Sequence, residues 1–327
     1  MRTRARLGIA AGAAAVLATV AAGYAASTRE NAVVPAYTGE VDLRPGPRLL
    51  TVTDRHLAAV ELDDPDGPRS VSPVECLRAY AAAGTGVCLR PTDPWSNELV
   101  VLDADLKPKR AFAIPGQPNR ARVSPTGRMV AWTTFVGGDS YATGGFSTRT
   151  GILDTRTGDK VMSLEDFAIT KGGKGGKGGK AYRNVDVNYW GVTFARDDNT
   201  FYATLGTAGK RYLVRGDWRA REVTTLKENV ECPSLSPDGT RIAFKEAVGG
   251  DPARGWRLSV LDLASMRVTA TAETAGVDDQ AAWLDDRTLA YTLRQDDGRP
   301  DIHQVPADGN GAPRLLVRGA ESPSALD

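Results

Sequence analysis

Ser236-Pro237-Asp238-Gly239-Thr240, running into Ile242-Ala243-Phe244, is a tight polar turn that feeds a short strand. The phrase occurs again as Ser124-Pro125-Thr126-Gly127 before Met129-Val130-Ala131-Trp132. Looser copies are Asp198-Asn199-Thr200 before Phe201-Tyr202-Ala203, and Asp285-Asp286-Arg287-Thr288 before Leu289-Ala290-Tyr291. A supersecondary phrase that repeats along a chain is the mark of a repeat architecture.

The unit is clearest around the first copy. Glu231-Cys232-Pro233-Ser234-Leu235-Ser236 reads as a strand, and Arg241 to Lys245 as a second. Trp256 to Leu263 and Arg267 to Glu273 complete a set of four short strands. Four strands in roughly 45 residues is the size of one propeller blade. Laid along the chain, the unit predicts blades at 74–116, 117–168, 184–228, 229–273 and 274–320. Residues 48–73 then lack a first strand, and Glu321-Ser322-Pro323-Ser324-Ala325-Leu326 closely matches the strand that opens the best unit. The prediction is an all-β, six-bladed propeller over 48–327, closed by a C-terminal strand entering the first blade. Such closure leaves few exposed strand edges.

Ahead of the propeller, Arg2, Arg4 and Arg6 precede an uncharged, alanine-rich run from Leu7 to Ala26. This pattern is a signal peptide, with a cleavage site after Gly23-Tyr24-Ala25, or a retained membrane anchor. Either way the remainder is expected outside the cytoplasm: secreted, or on the outer face of the cytoplasmic membrane. Residues 27–47 read as an extended linker. Removing 1–26 takes away three arginines and no acid, leaving 38 basic against 40 acidic side chains. No overall field then favours nucleic acid or anionic lipid, so contact with membrane is expected only through the N-terminal segment. Lys171 to Lys180 reads KGGKGGKGGK, a composition that cannot bury a core and is expected as a flexible loop.

The Ser-Pro-Asp-Gly turn with its Ile-Ala-Phe strand resembles the repeats of TolB-like six-bladed propellers. The stretch Val192 to Asp308 resembles exported actinobacterial proteins of this kind through Phe201-Tyr202-Ala203-Thr204, Asp278-Asp279-Gln280, Trp283-Leu284-Asp285-Asp286-Arg287-Thr288 and Val305-Pro306-Ala307-Asp308-Gly309. Ser147 to Asp154 extends the resemblance to 117–168. It implies the fold and does not specify a function. The Gram-negative namesake carries an added N-terminal α/β domain and works with peptidoglycan-associated lipoprotein; residues 27–47 are too few for that domain, so that partner is not carried over.

Catalytic signatures are not found. His56 and His303 stand in no metal-ligand spacing, and no Gly-x-Ser-x-Gly elbow or Ser-x-x-Lys occurs. No catalytic or cofactor-binding residue is assigned. Cys76 and Cys88 are equidistant from Ala82, so a hairpin centred there sets them opposite each other. A disulfide is expected in an exported chain, with buried thiols as the alternative. Cys232 is expected as an unpaired core thiol.

Acidic or polar residues recur where the first strands are placed: Glu75, Asn119, Glu231, Asp279 and Glu321. They define a candidate acidic ring at one channel mouth, for a cation such as Ca2+ or a basic peptide, against a plain solvated face. Asp63-Asp64-Pro65-Asp66-Gly67 reads as a turn. Tyr141 and Phe146 in a glycine-rich loop, with Tyr189 and Trp190 before an inner strand, are candidate partner-binding aromatics. The expected function is a non-catalytic binding or scaffold module, a monomer that docks an envelope protein or peptide at a channel mouth. A polysaccharide-active lyase or hydrolase, and a calcium- or ligand-sensing domain, are the alternatives.

Overall fold

The computed structural model describes residues 39–137, 147–170, 181–182 and 184–326, all within the compact unit Tyr37–Asp327. The N-terminal run and the Lys-Gly segment 171–180 lie outside the described residues. No helix among the described residues is long and apolar enough to cross a membrane.

Among the described residues six sheets form six blades, each built on four antiparallel strands. Their inner strands are Glu321–Ala325, Arg78–Ala82, Gln117–Val123, Asn188–Phe194, Glu231–Leu235 and Ala282–Trp283 for blades 1 to 6. Each touches the next around a closed ring. The C-terminal strand pairs with Arg48–Thr53, setting Leu49 opposite Ala325 and Leu50 opposite Ser324, so the last strand of the chain closes the first blade.

The core is not central. Six hydrophobic clusters exist, and each fills the junction between two neighbouring blades. Val87, Leu89 and Leu99 of blade 2, for instance, meet Val130, Trp132 and Leu153 of blade 3. Burying a side chain of this kind is worth about 1.5–3 kcal/mol, and the junction between blades 3 and 4 holds the largest cluster. Where blades are thickest, an aromatic needs a glycine beneath it. Gly151 pairs with Trp132 and Gly216 with Phe201 across the second and third strands of blades 3 and 4. A Cβ at either glycine would stand 2.1 Å from the ring.

The repeated turns explain their own sequence. Asp238 accepts from the Thr240 amide at 2.9 Å and its hydroxyl at 2.8 Å, while Gly239 takes the left-handed φ of 72° that the turn requires. The turns also tie blades together. The Asp238 amide donates to Asp286 of blade 6 at 2.9 Å, and Ser124 of blade 3 donates to Asp198 of blade 4 at 2.9 Å.

Three details differ from the sequence reading. Ala168–Thr170 lies not in blade 3 but parallel to Glu222–Glu228 on the outer edge of blade 4, with Ala181–Tyr182 beside it. Residues 41–47 are not a free linker: Leu43 is 1% exposed, its amide donates to the Ala104 carbonyl at 2.9 Å, and it packs between blades 1 and 2. Glu75 ends the outer strand of blade 1, and Arg78 rather than Glu75 opens the inner strand of blade 2.

Candidate functional site

Every inner strand starts on the same face of the ring. Three of them kink near that end, at Gly191, Cys232 and Ser322, which have φ of 64°, 49° and 57°. Each kink coincides with a register shift against the second strand. A residue other than glycine in this conformation costs about 1–3 kcal/mol, so the backbone is held there by its surroundings. Cys232 is fixed by Gly191, whose added Cβ would meet the Cys232 Cα at 2.6 Å.

At this face the axial channel opens into a mouth of about 1000 Å³. Six basic side chains line it: Arg78, Arg120, Lys210, Arg211, Lys245 and Arg294. Three acids do so, Asp186, Glu231 and Asp278, together with the rings of Phe135, Trp190 and Trp256. Below the mouth the channel is crossed by side chains. Arg122 of blade 3 donates to the Ala281 carbonyl of the opposite blade 6 at 3.1 Å. Gln280 donates to Val192 at 3.0 Å and Pro233 at 2.7 Å, so one amide ties blades 4, 5 and 6. These bonds cross the channel below the mouth.

The expected acidic ring is not a set of free carboxylates. Glu231 is ion-paired with Arg211, and with Lys245 at 3.5 Å. Glu321 is shared by Arg78 and by Arg294, the latter at 2.8 Å. Glu75 meets Arg55 at 2.6 Å, and Asp279 accepts from the Thr292 amide at 3.1 Å. Asn119 lines the mouth, and its carbonyl accepts from Arg78 at 3.0 Å. Among the described residues, no group of three or more His, Cys, Asp and Glu side chains is placed to hold a metal ion. The carboxylates fit their arginines and lysines, and their geometry does not form an oxygen cage for Ca2+.

Burial raises the Glu231 carboxyl above its ordinary range, against the pull of Lys245 and Arg211. Asp278 is held low, because Lys245 outweighs the burial that opposes it. Burial also pushes up the free thiol of Cys232, although Arg120 and Lys245 stand close by. A protonated thiol is a poor nucleophile. Among the described residues, no serine or histidine lines the mouth. His56 contacts the Asp54 carbonyl at 2.8 Å, and His303 stacks on Tyr291 at 6.2 Å, both away from the cavity.

Of the aromatic candidates, Trp190 lines the mouth, whereas Tyr189 is 1% exposed and packs in the core between blades 3 and 4. Adjacent residues of a strand point to opposite faces, so only one of the two can reach the cavity. Tyr141 and Phe146 lie outside the described residues. Three aromatics were missed by sequence reasoning, Phe135 of the lining among them. Trp256 carries Lys245 at 4.2 Å and Arg211 at 5.6 Å over its ring. Trp95 is 93% exposed. Its hairpin joins Thr85–Asp93 to Ser96–Leu102 on the mouth side, because the strand overruns Leu89, the partner of Arg78.

Cys76 and Cys88 are joined by a disulfide with Cα atoms 5.4 Å apart. They are not directly opposite: Ala79 faces Cys88, and the hairpin turns at Ala83 and Gly84 instead of Ala82. Cys76 reaches its partner from the link before the strand, where its amide donates to the Arg55 carbonyl at 2.7 Å.

This architecture is that of a TolB-like six-bladed β-propeller. A solved TolB from Acinetobacter baumannii superposes with a TM-score of 0.60 at 15% identity, over 86% of this chain and 67% of that one. A protein from Agrobacterium tumefaciens described as TolB gives a TM-score of 0.52 at 12% identity, over 84% and 90%. In sequence, 77 residues are 36% identical to the TolB homolog of Chlorobium luteolum. That segment is 24% of this chain and spans only 16% of the relative's length. No family model matches the chain.

Proposed function

We propose that this chain is a non-catalytic binding or scaffold module of an actinobacterial cell envelope, docking a protein or peptide at the channel mouth. The observation that carries this reading is the mouth of about 1000 Å³ walled by Trp190 and Trp256. Trp95, 93% exposed on the same side, extends the surface outward. Large exposed aromatics around a concavity are what binding hot spots are built from. The raised thiol of Cys232 and a lining with no serine or histidine among the described residues favour binding over covalent chemistry. Export is supported by the N-terminal arginines with their apolar run and by the Cys76–Cys88 disulfide, a bond suited to an oxidising compartment. The TolB-like resemblance points the same way. The test is affinity capture of the tagged chain from its native envelope after crosslinking. Trp95→Ala combined with Trp190→Ala should lose the captured partner, and undiminished capture contradicts the reading.

One observation favours the polysaccharide-active alternative. Glu231 and Asp278 share the cavity, and their carboxyls are displaced in opposite directions, as in acid–base pairs. That alternative requires turnover of a wall polysaccharide by the wild type and its loss in Glu231→Gln. No turnover removes it.

A further inference from the structure

We infer that the segment docked in the mouth is acidic, with Arg120 on the cavity floor as its anchor and Trp190 and Trp256 as its walls. This rests on the docking reading above and reverses the charge that the sequence pattern led us to expect. Bases outnumber acids two to one in the lining, and the acids are already engaged. Glu231 lies between Arg211 and Lys245, and Asp278 is bound to Lys245. Asp186 accepts from the Thr207 hydroxyl at 2.7 Å and the Ala208 amide at 2.6 Å. Glu321 is one carboxylate held by two arginines, which leaves that side of the mouth positive.

Arg120 differs from the other bases. Its terminal nitrogens donate to backbone carbonyls, Asn119 at 3.0 Å and Asp278 at 3.2 Å, and its buried Nε has no hydrogen-bond partner. Among side chains, Cys232 stands within its hydrogen-bond reach, and the carboxylates of Asp279 and Asp278 are near enough to stabilise its charge without bonding it directly. A carboxylate entering the mouth would meet this guanidinium without displacing an existing ion pair. A concave, low-dielectric wall focuses such a field on the incoming group. Trp190 and Trp256 provide flat apolar surface for the residue between two acids, so the matching ligand is an extended peptide that interleaves carboxylates with an aromatic or aliphatic side chain.

The test is fluorescence anisotropy of the full chain with a short labelled peptide of alternating glutamate and glycine carrying one tryptophan. The controls are the lysine-for-glutamate peptide and an oligogalacturonate of equal charge. The acidic peptide should bind at least about tenfold more tightly than the basic one, a difference of about 1.4 kcal/mol. Binding should weaken steeply as salt rises from about 0.1 M to about 1 M, where the Debye length falls from about 10 Å to about 3 Å. Arg120→Gln should weaken it about tenfold. Lys210→Gln, at a side chain 53% exposed whose ion pair with Glu228 lies at the surface, should weaken it with little change in the melting temperature, which keeps the test valid if the Arg120 variant misfolds. Equal binding of acidic and basic peptides overturns the inference. So does tight, Arg120-dependent binding of the oligogalacturonate alone, which would assign the mouth to polysaccharide. If the peptide fails while envelope capture still depends on Trp95 and Trp190, only the charge assignment falls and docking stands.

Discussion

Ser324 and Ala81 hold each other twice. The Ser324 hydroxyl donates to the Ala81 carbonyl at 2.6 Å and accepts from the Ala81 amide at 3.1 Å. Both residues are fully buried, and the pair fastens the C-terminal strand of blade 1 to the inner strand of blade 2. Removing one hydroxyl therefore strands a buried amide and carbonyl, at about 1–3 kcal/mol. Ser324→Ala should lower the melting temperature measurably. Deleting residues 321–327 should do more, because it also exposes the edge of Arg48–Thr53 and the junction filled by Leu326. A truncated protein that melts cooperatively at the wild-type temperature is incompatible with ring closure by this strand.

The Cys76–Cys88 bond closes a short loop, with a sequence separation of 12 residues. Loop-closure entropy for a loop of this size corresponds to about 3 kcal/mol. Reduction should add two hydrogens to the peptide pair containing these cysteines and lower the denaturation midpoint. Cys76→Ser with Cys88→Ser should reproduce the loss under oxidising conditions. An unchanged midpoint on reduction, with the thiols shown to be free, would falsify a stabilising role.

Acid should weaken the turn chemistry of blade 3. Asp154 is 2% exposed, and although burial raises its carboxyl, Arg128 and the amides of Arg156 and Thr157 hold it down to about 2. The unfolded chain therefore takes up the proton first. The contribution is complete above about pH 4 and disappears as pH falls toward about 2, amounting to about 2 kcal/mol. Arg128 makes two bonds to this carboxylate, at 3.0 and 2.5 Å. Arg128→Met should lower stability at neutral pH and flatten the stability profile between about pH 4 and 2. Identical acid slopes for wild type and variant contradict the assignment.

The blade register was legible because its signal is local. A Pro-Asp-Gly turn carries its own hydrogen bonds, and the likeness of 321–326 to 231–236 identified the closing strand; both stretches share the same left-handed kink, at Ser322 and Cys232. The charge of the mouth was not legible. An acid at a strand start looks free in sequence, but Glu231 meets Arg211 from the preceding blade. Lys245 was within reach of sequence reasoning, since the second strand of the blade sets it directly opposite Glu231. Alternation along Asn188–Phe194 likewise separates Tyr189 from Trp190. The hairpin turns between Ala83 and Gly84 and not at Ala82, which shifts the pairing by three residues, and the link at Leu77, whose amide donates to Leu89, absorbs the difference before Cys76.

The central claim is that the mouth face engages the partner, and site-specific photo-crosslinking tests it most directly. A photoreactive residue would replace Lys210, 53% exposed at the mouth, or Asp238, on the turns of the opposite face. After irradiation in the native envelope, the account predicts an adduct of defined mass from position 210 that is absent from position 238 and lost in Trp95→Ala plus Trp190→Ala. Equal adducts from both faces, or an adduct from position 238 alone, would contradict it.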